Sequence, residues 1–417
     1  MLQTPLAERL KVVLAGPRNA GKSSLLNVLL EKEASLVSSR PGTTTDPVTR
    51  AFEIPGLGPA SVTDTPGLDD DEEVLGAQRV RLALSRAAEA DLRILVTPGH
   101  LPPSPREAEL LAEWRESDAE RTILVLSFAG PEDSARPEDH PEKAAWAASL
   151  TTVRTDAPSG RGITELVAAM TKARPEREIG PLEGLATEGG SILLVTPIDL
   201  AAPAGRLIAP QVQVIRDALD KDIMVTVVKE RELRAAYANM KTPPSLVITD
   251  SQAFSKVAAD LPEDQPLTSF SILFARKKGD LNAFLNGLAA AASVQSAPHV
   301  LILESCSHHR QADDIGTVKI PRLFRQMVRD DAEFTHLRTL PADEELARFH
   351  LVIHCGACRL TRTQMSVRLK ALADSGTPVT NYGMFLAWVN GLMPRALEPF
   401  DGLCERWNEL RGARVPG

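Results

Sequence analysis

Gly16-Pro17-Arg18-Asn19-Ala20-Gly21-Lys22-Ser23 stands between an apolar run, Lys11 to Ala15, and a helix-like run, Ser24 to Leu30. Strand, glycine-bearing loop and helix in that order make a phosphate cradle. The loop backbone can close around phosphates, and its N–H groups and the helix N-terminus supply positive potential. Lys22 is the candidate for the terminal phosphates and Ser23 for magnesium, with Gly16, Asn19, Ala20, Gly21 and Ser24 as further nucleotide contacts. Asp64-Thr65-Pro66-Gly67 closes a second strand-like run. There the Asp64 carboxylate can hold magnesium through water and the Gly67 N–H can meet a γ-phosphate. Between the two motifs, Arg40-Pro41-Gly42-Thr43-Thr44-Thr45-Asp46 offers hydroxyls, those of Thr43 and Thr44 foremost, for a loop that orders on the same metal. Lys22, Thr44, Asp64 and Gly67 are therefore the catalytic candidates.

A second set of reactive residues gathers near the C-terminus, in Ser305-Cys306-Ser307-His308-His309 and His354-Cys355-Gly356-Ala357-Cys358. Cys-x-x-Cys lets two thiolates grip one metal or cluster from a single turn, and Cys306 completes a three-thiolate set. His308 and His354 are candidate fourth ligands. Four readings stand beside one another: an iron–sulfur cluster with one exchangeable position, a structural zinc with three Cys and one His, cysteines that merely pack in the core, and a thioredoxin-like redox pair. The last needs neither a third cysteine nor the histidines. Arg359 and Arg362 follow the motif and either lend charge to an anionic cluster or lie on a solvated helix face.

The elements that must position these residues recur along the whole chain. Lys11 to Ala15, Ser61 to Asp64, Leu92 to Val96, Thr122 to Ser127, Ile192 to Thr196, Ile223 to Val228, Leu246 to Thr249, Phe270 to Phe274, Val300 to Glu304 and Leu351 to His354 all read as strands. Many are continuous Val, Ile and Leu with helix-like segments between them, the pattern of mainly parallel sheets covered on both faces. The fold class expected is α/β throughout: a P-loop domain over residues 1–175, then two further α/β domains over 180–296 and 297–417. The joins are Arg174 to Gly190 and Ala292 to Pro298.

Composition narrows the function. The 417 residues carry 47 Lys plus Arg against 55 Asp plus Glu, a formal charge of -8, and 4% aromatics. That balance argues against nucleic acid and anionic membranes as partners. No apolar run approaches the roughly 18–20 residues that span a bilayer. Met1 to Leu10 carries Glu8 and Arg9 and does not read as a signal peptide. The four cysteines all lie beyond residue 305, unlike a secreted disulfide framework. A cytoplasmic protein is expected.

The loop Asn19 to Asn27, with Pro41-Gly42-Thr43-Thr44 and Asp64-Thr65-Pro66-Gly67, resembles the translation-factor-related GTPases of the Era and TrmE type. The resemblance implies GTP and GDP as ligands, magnesium on Ser23 and Thr44, and a potassium ion held partly by Asn19. Leu68 stands where Ras-like enzymes carry the glutamine that orients water, so slow, potassium-assisted hydrolysis is implied. One motif departs from the pattern. The base-reading Asn-Lys-x-Asp expected after Thr122 to Leu126 is Ser127-Phe128-Ala129-Gly130-Pro131, which removes the carboxylate that pairs with guanine and weakens the choice of GTP over ATP. Asp133 is a weak substitute. Ala157-Pro158-Ser159-Gly160-Arg161-Gly162-Ile163 resembles the family's last base-side loop, with Asp156 where Ser is usual.

A P-loop switch joined to Cys-x-His and His-Cys-x-x-Cys resembles the HydF family of iron-only hydrogenase maturation GTPases, over the whole chain. Thr196 to Leu200, Pro210 to Asp217 and Ile248 to Phe254 extend the likeness through the middle. It implies a four-iron, four-sulfide cluster on Cys306, Cys355 and Cys358, and a scaffold or carrier for a transient di-iron subcluster. Radical-SAM maturases upstream and apo iron-only hydrogenase downstream are the implied partners, with homodimerisation through residues 180–296. The alternative is an Era-like or TrmE-like regulatory GTPase with structural zinc. A third reading is an ATP-dependent iron–sulfur carrier.

Overall fold

The computed structural model describes residues 8–31, 48–68, 84–128, 138–175, 179–197, 207–295, 297–305, 314–358 and 360–412. Two compact units divide the chain, residues 1–177 and 178–417. The first is a six-stranded sheet in the order β2-β3-β1-β4-β5-β6. Its strands are β1 (Leu10–Ala15), β2 (Val48–Ile54), β3 (Gly58–Asp64), β4 (Leu92–Pro98), β5 (Thr122–Ser127) and β6 (Thr151–Thr155). All pairings are parallel except β2 with β3.

Continuous apolar runs become central strands here because each face of the sheet has its own core. Leu10, Val12 and Leu14 of β1 join Ile123 and Val125 of β5 in one cluster, while Val13, Ala15, Leu124 and Leu126 join Trp114 in another. A strand with only one covered face would have alternated polar and apolar residues instead. The helix Lys22–Glu31 leaves β1 through the phosphate loop and packs Leu25, Leu26 and Leu29 onto the first of these cores.

The second unit contains two parallel four-stranded sheets. One has the order β10-β9-β7-β8, from β7 (Ser191–Val195), β8 (Met224–Val228), β9 (Leu246–Thr249) and β10 (Leu267–Ser269). The other has the order β12-β11-β13-β14, from β11 (His299–Leu303), β12 (Glu333–Leu337), β13 (Leu351–His354) and β14 (Val379–Asn381). Both sheets feed one hydrophobic core, so the expected boundary near residue 296 lies inside this unit.

Phe270 to Phe274, expected as a strand, is the start of the helix Phe270–Lys278. The strand β10 ends just before it, and the Ser269 hydroxyl accepts a hydrogen bond from the Ile272 N–H, which caps the helix. Phe270, Ile272, Leu273 and Phe274 are all buried in the shared core, so four of five consecutive positions are apolar and no helical period can be read. A following helix, Leu281–Ala292, packs against β14 so closely that a Cβ on Gly287 would sit 1.9 Å from the Val379 carbonyl oxygen. Among the described residues no helix is long and apolar enough to cross a membrane.

Candidate functional site

The phosphate loop turns on backbone conformations that its residue types favour. Gly16 has φ 149° and Gly21 φ 93°, and Asn19 is left-handed at φ 59°. A Cβ on Gly16 would lie 1.9 Å from the Val96 carbonyl oxygen, so glycine alone fits where the loop leaves β1 against β4. The buried Lys22 ammonium donates to the carbonyls of Gly16 and Pro17, at 2.9 and 2.7 Å. Ala20 is buried, whereas Asn19, Ser23 and Ser24 are exposed.

Asp64 arrives at the C-terminal end of β3, the neighbour of β1, and accepts a hydrogen bond from the Ser23 hydroxyl at 2.6 Å. Its Oδ1 is buried and has no hydrogen-bond partner among the described residues. Burial pushes the carboxyl above its ordinary range, against the opposing pull of the Ser23 hydrogen bond and the Lys22 charge. A hydroxyl and a carboxylate with an unsatisfied oxygen form a hard-oxygen donor set, which suits magnesium. Thr65 anchors the strand end, its N–H and hydroxyl both donating to the Leu14 carbonyl, and the Leu68 N–H reaches the Gly16 carbonyl at 3.2 Å. Gly67 lies between these anchors. Thr43 and Thr44 lie outside the described residues.

On the base side, the Phe128 N–H donates to the Thr155 carbonyl at 3.0 Å, and the Arg161 guanidinium stands 5.2 Å from the centre of the Phe128 ring. Asp156 Oδ2 accepts from Ser159 and Arg161, each at 2.7 Å. Burial alone would raise this carboxyl, but the Arg161 and Ser159 hydrogen bonds outweigh it and hold the group below its usual range. Asp133 lies outside the described residues.

The cysteine site is built by strand register. Leu303 of β11 pairs with His354 of β13, so the chain leaves both strands side by side at their C-terminal ends. The Cys355 N–H donates to the Leu303 carbonyl at 2.9 Å, and the Ser305 N–H points at Cys355 Sγ at 3.3 Å. Cys306 is the next residue in the chain, and it and His308 lie outside the described residues. Cys355 is buried and Cys358 half-buried. Between them Ala357 takes a left-handed φ of 52°, reversing the chain so that the helix Arg362–Asp374 can start from a capping box of Thr361 and Gln364. Amide donation to sulfur and an electropositive surround suit thiolates that carry an anionic cluster.

Two buried cations supply that surround, and neither was legible in the sequence. Arg368 donates to the Ser305 hydroxyl and, at 3.3 Å, to His354 Nε2. Lys278, from the helix Phe270–Lys278, donates to the carbonyls of Ala357 and Leu360 at 3.2 and 2.6 Å. Arg362, a sequence-level candidate for the same task, is exposed, and Arg359 lies outside the described residues. The buried His354 ring is engaged at both nitrogens. Since arginine only donates, Nε2 accepts and Nδ1–H donates to the Cys355 carbonyl at 2.7 Å. His354 therefore ties the loop to Arg368. Among the described residues no group of three or more His, Cys, Asp and Glu side chains forms a metal cage.

Comparison with known proteins divides the chain three ways. Residues 11–127 match the 50S ribosome-binding GTPase family. Residues 182–279 match the hydrogen maturase F dimerization domain, and residues 282–399 match the hydrogen maturase F tetramerization domain. The chain belongs to the hydrogen maturase F family. Its first unit is a P-loop GTPase domain. That domain is 44% identical over 97 residues to the tRNA modification GTPase MnmE of Geobacter sulfurreducens, across 23% of this chain and 21% of that protein. It is 36% identical over 157 residues to MnmE of Hyphomonas neptunium, across 37% and 35%. The chain thus spans about a fifth to a third of the length of the curated relatives it matches. Among solved structures, the G domain of the Thermotoga maritima FeoB iron transporter aligns at 26% identity and a TM-score of 0.30, over 40% of this chain and 99% of that one.

Proposed function

We propose that the chain is a slow, magnesium-dependent and potassium-stimulated GTPase. In this reading it is also an iron–sulfur scaffold that holds a di-iron subcluster precursor and delivers it to apo iron-only hydrogenase. The observation that carries the reading is the succession of a GTPase domain and the two hydrogen maturase F domains, with paired cysteines at the strand ends of the last.

The P-loop amides and Lys22 bind the phosphates, Asn19 contributes to potassium, and Ser23, Thr44 and Asp64 hold magnesium, directly or through water. Magnesium supplies charge neutralisation on the phosphates. Gly67 offers its N–H to the γ-phosphate, and Thr43 belongs to the loop that the phosphate orders. Discrimination of GTP from ATP rests on the altered Ser127-Phe128 end of β5 together with the Asp156 loop, and competition between the two nucleotides measures it.

Cys306, Cys355 and Cys358 would hold a four-iron cluster, which supplies an iron–sulfur platform with an exchangeable site. The fourth ligand in this reading is His308, His354 or an exchangeable group; for His354 to serve, its ring must give up the contact with Arg368 or with the Cys355 carbonyl. Radical-SAM maturases supply the cargo, and the setting is cytoplasmic, without nucleic acid or membrane.

The chain is proposed to act as a homodimer through the exposed edge of β8. This edge presents Met224, Thr226 and Val227 beside Leu219, an apolar rim whose strand pairs on one side only among the described residues. A second copy adding its own β8 would cover it.

The deciding measurement is iron, acid-labile sulfide and zinc on protein purified and reconstituted without oxygen. About four irons and four sulfides per chain, lost in Cys355→Ser, are expected. Stoichiometric zinc without charge-transfer absorption would move the reading to a regulatory GTPase with a structural site.

A further inference from the structure

Lys278 is the last residue of the helix Phe270–Lys278, yet its side chain is 1% exposed. Lysine is almost never buried to that degree unless its charge is used. Here the ammonium donates to two backbone carbonyls, Ala357 and Leu360, one on each side of Cys358. The same helix runs along the loop on its other flank, where a Cβ on Gly356 would meet the Ser271 hydroxyl at 3.9 Å. The Asn381 side chain at the end of β14 also donates to the Ser271 carbonyl. The neighbouring residue, Lys277, reaches the other way, to Gln213 in the helix Ala209–Asp220.

We propose that Lys278 is a positioning residue for the cluster site: it clamps the loop that carries Cys355 and Cys358 and brings a fixed positive charge to the bound cluster. The inference rests on the iron–sulfur reading, and it assigns the task to a residue outside the segment that carries the cysteines. The physics has two parts. A left-handed Ala357 between two ligands is strained, and a strained turn persists only where its surroundings over-determine it. Lys278 supplies that by satisfying two carbonyls at once. An iron–sulfur cluster gains negative charge on reduction, and its potential follows net charge and hydrogen bonding around the sulfurs. A buried cation next to it favours the reduced form.

The test compares the wild-type chain with Lys278→Met, which keeps length and apolar stem but removes donor and charge, and with Lys278→Arg, which restores both. In the iron-free chain, hydrogen exchange of the amides between Cys355 and Leu360 should speed up at least tenfold in Lys278→Met and stay within twofold in Lys278→Arg. In the reconstituted chain, the ratio of reduced to oxidised cluster at fixed ambient potential, read by electron paramagnetic resonance, should fall at least tenfold in Lys278→Met. That is a potential lower by about 59 mV for a one-electron couple. GTP turnover should remain at the wild-type value in both variants. Unchanged exchange together with an unchanged potential would overturn the proposal, and so would equal loss in the Met and Arg variants. If Lys278→Met does not fold, the Arg variant decides alone: wild-type exchange and potential support the clamp, and their loss removes it. Should the wild-type chain take up no iron, the scaffold reading fails while the iron-free exchange still decides the clamp.

Discussion

Replacing Asp64 with Asn separates what the site costs the fold from what it gives to ligand binding. Asp64 Oδ1 is buried without a partner among the described residues, and burial holds the carboxyl above its ordinary range. A raised folded-state pKa means the folded chain binds the proton more tightly than the unfolded one. Stability then falls as pH rises from the unfolded value through the folded one, and the full cost is present above it. Asn has the same shape and no charge. Without nucleotide, Asp64→Asn should therefore be more stable than wild type at pH 7, and the difference should shrink toward acid pH. With magnesium and nucleotide the order reverses. At 100 times the dissociation constant a ligand stabilises by about 2.7 kcal/mol. For a unit the size of residues 1–177 that raises the midpoint by about 5–11 °C. A hundredfold loss of affinity leaves about 0.4 kcal/mol, a shift of about 1–2 °C. Differential scanning calorimetry with and without magnesium and a non-hydrolysable GTP analogue reads both arms. An Asn variant that is less stable without ligand, or that keeps the full magnesium-dependent shift, would refute the argument.

Gly287→Ala should destabilise the second unit, although alanine is the better helix former by about 1 kcal/mol. The added Cβ would meet Val379 backbone at 1.9 Å, and overpacking costs of about 1–3 kcal/mol or more outweigh the propensity gain; a lower urea midpoint checks it. Val227→Asp should raise the dimer dissociation constant at least tenfold, since burying a valine is worth about 1.5–3 kcal/mol, and sedimentation velocity of the full chain reads it. Lys22→Ala should abolish GTP turnover and leave iron content at the wild-type level. Iron lost in that variant would mean that the nucleotide and cysteine sites are not separable.

Motifs whose chemistry demands a fixed residue at a fixed place were legible in the sequence. Gly16, Lys22, Ser23 and Asp64 meet as their spacing implies, because one strand, one loop and one neighbouring strand carry them. Cys355 and Cys358 share one turn for the same local reason. What the sequence hid is what depends on tertiary neighbours. Phe270 to Phe274 carries no period because four of its five side chains are buried. Lys278 and Arg368 look like ordinary basic residues until the fold turns them onto the cysteine loop. Short strands such as β10, β12 and β14 hold three to five residues each, too few for a pattern to stand out from the flanking loops.

The shared core of the second unit bears on how the chain is made. Thr268 in β10 donates to the carbonyl of Ala396, and Arg395 reaches the carbonyls of Ala258 and Pro262. The segment with the β8 edge thus finds part of its packing in residues that a ribosome adds more than a hundred positions later. Until then the helix Phe270–Lys278 waits with its greasy side uncovered, a situation that invites chaperones or misassociation. Residues 182–279 released alone should behave as a sticky, incompletely packed fragment, and a nonsense codon anywhere before Ala396 would cost the cell the middle of the protein as well as its end.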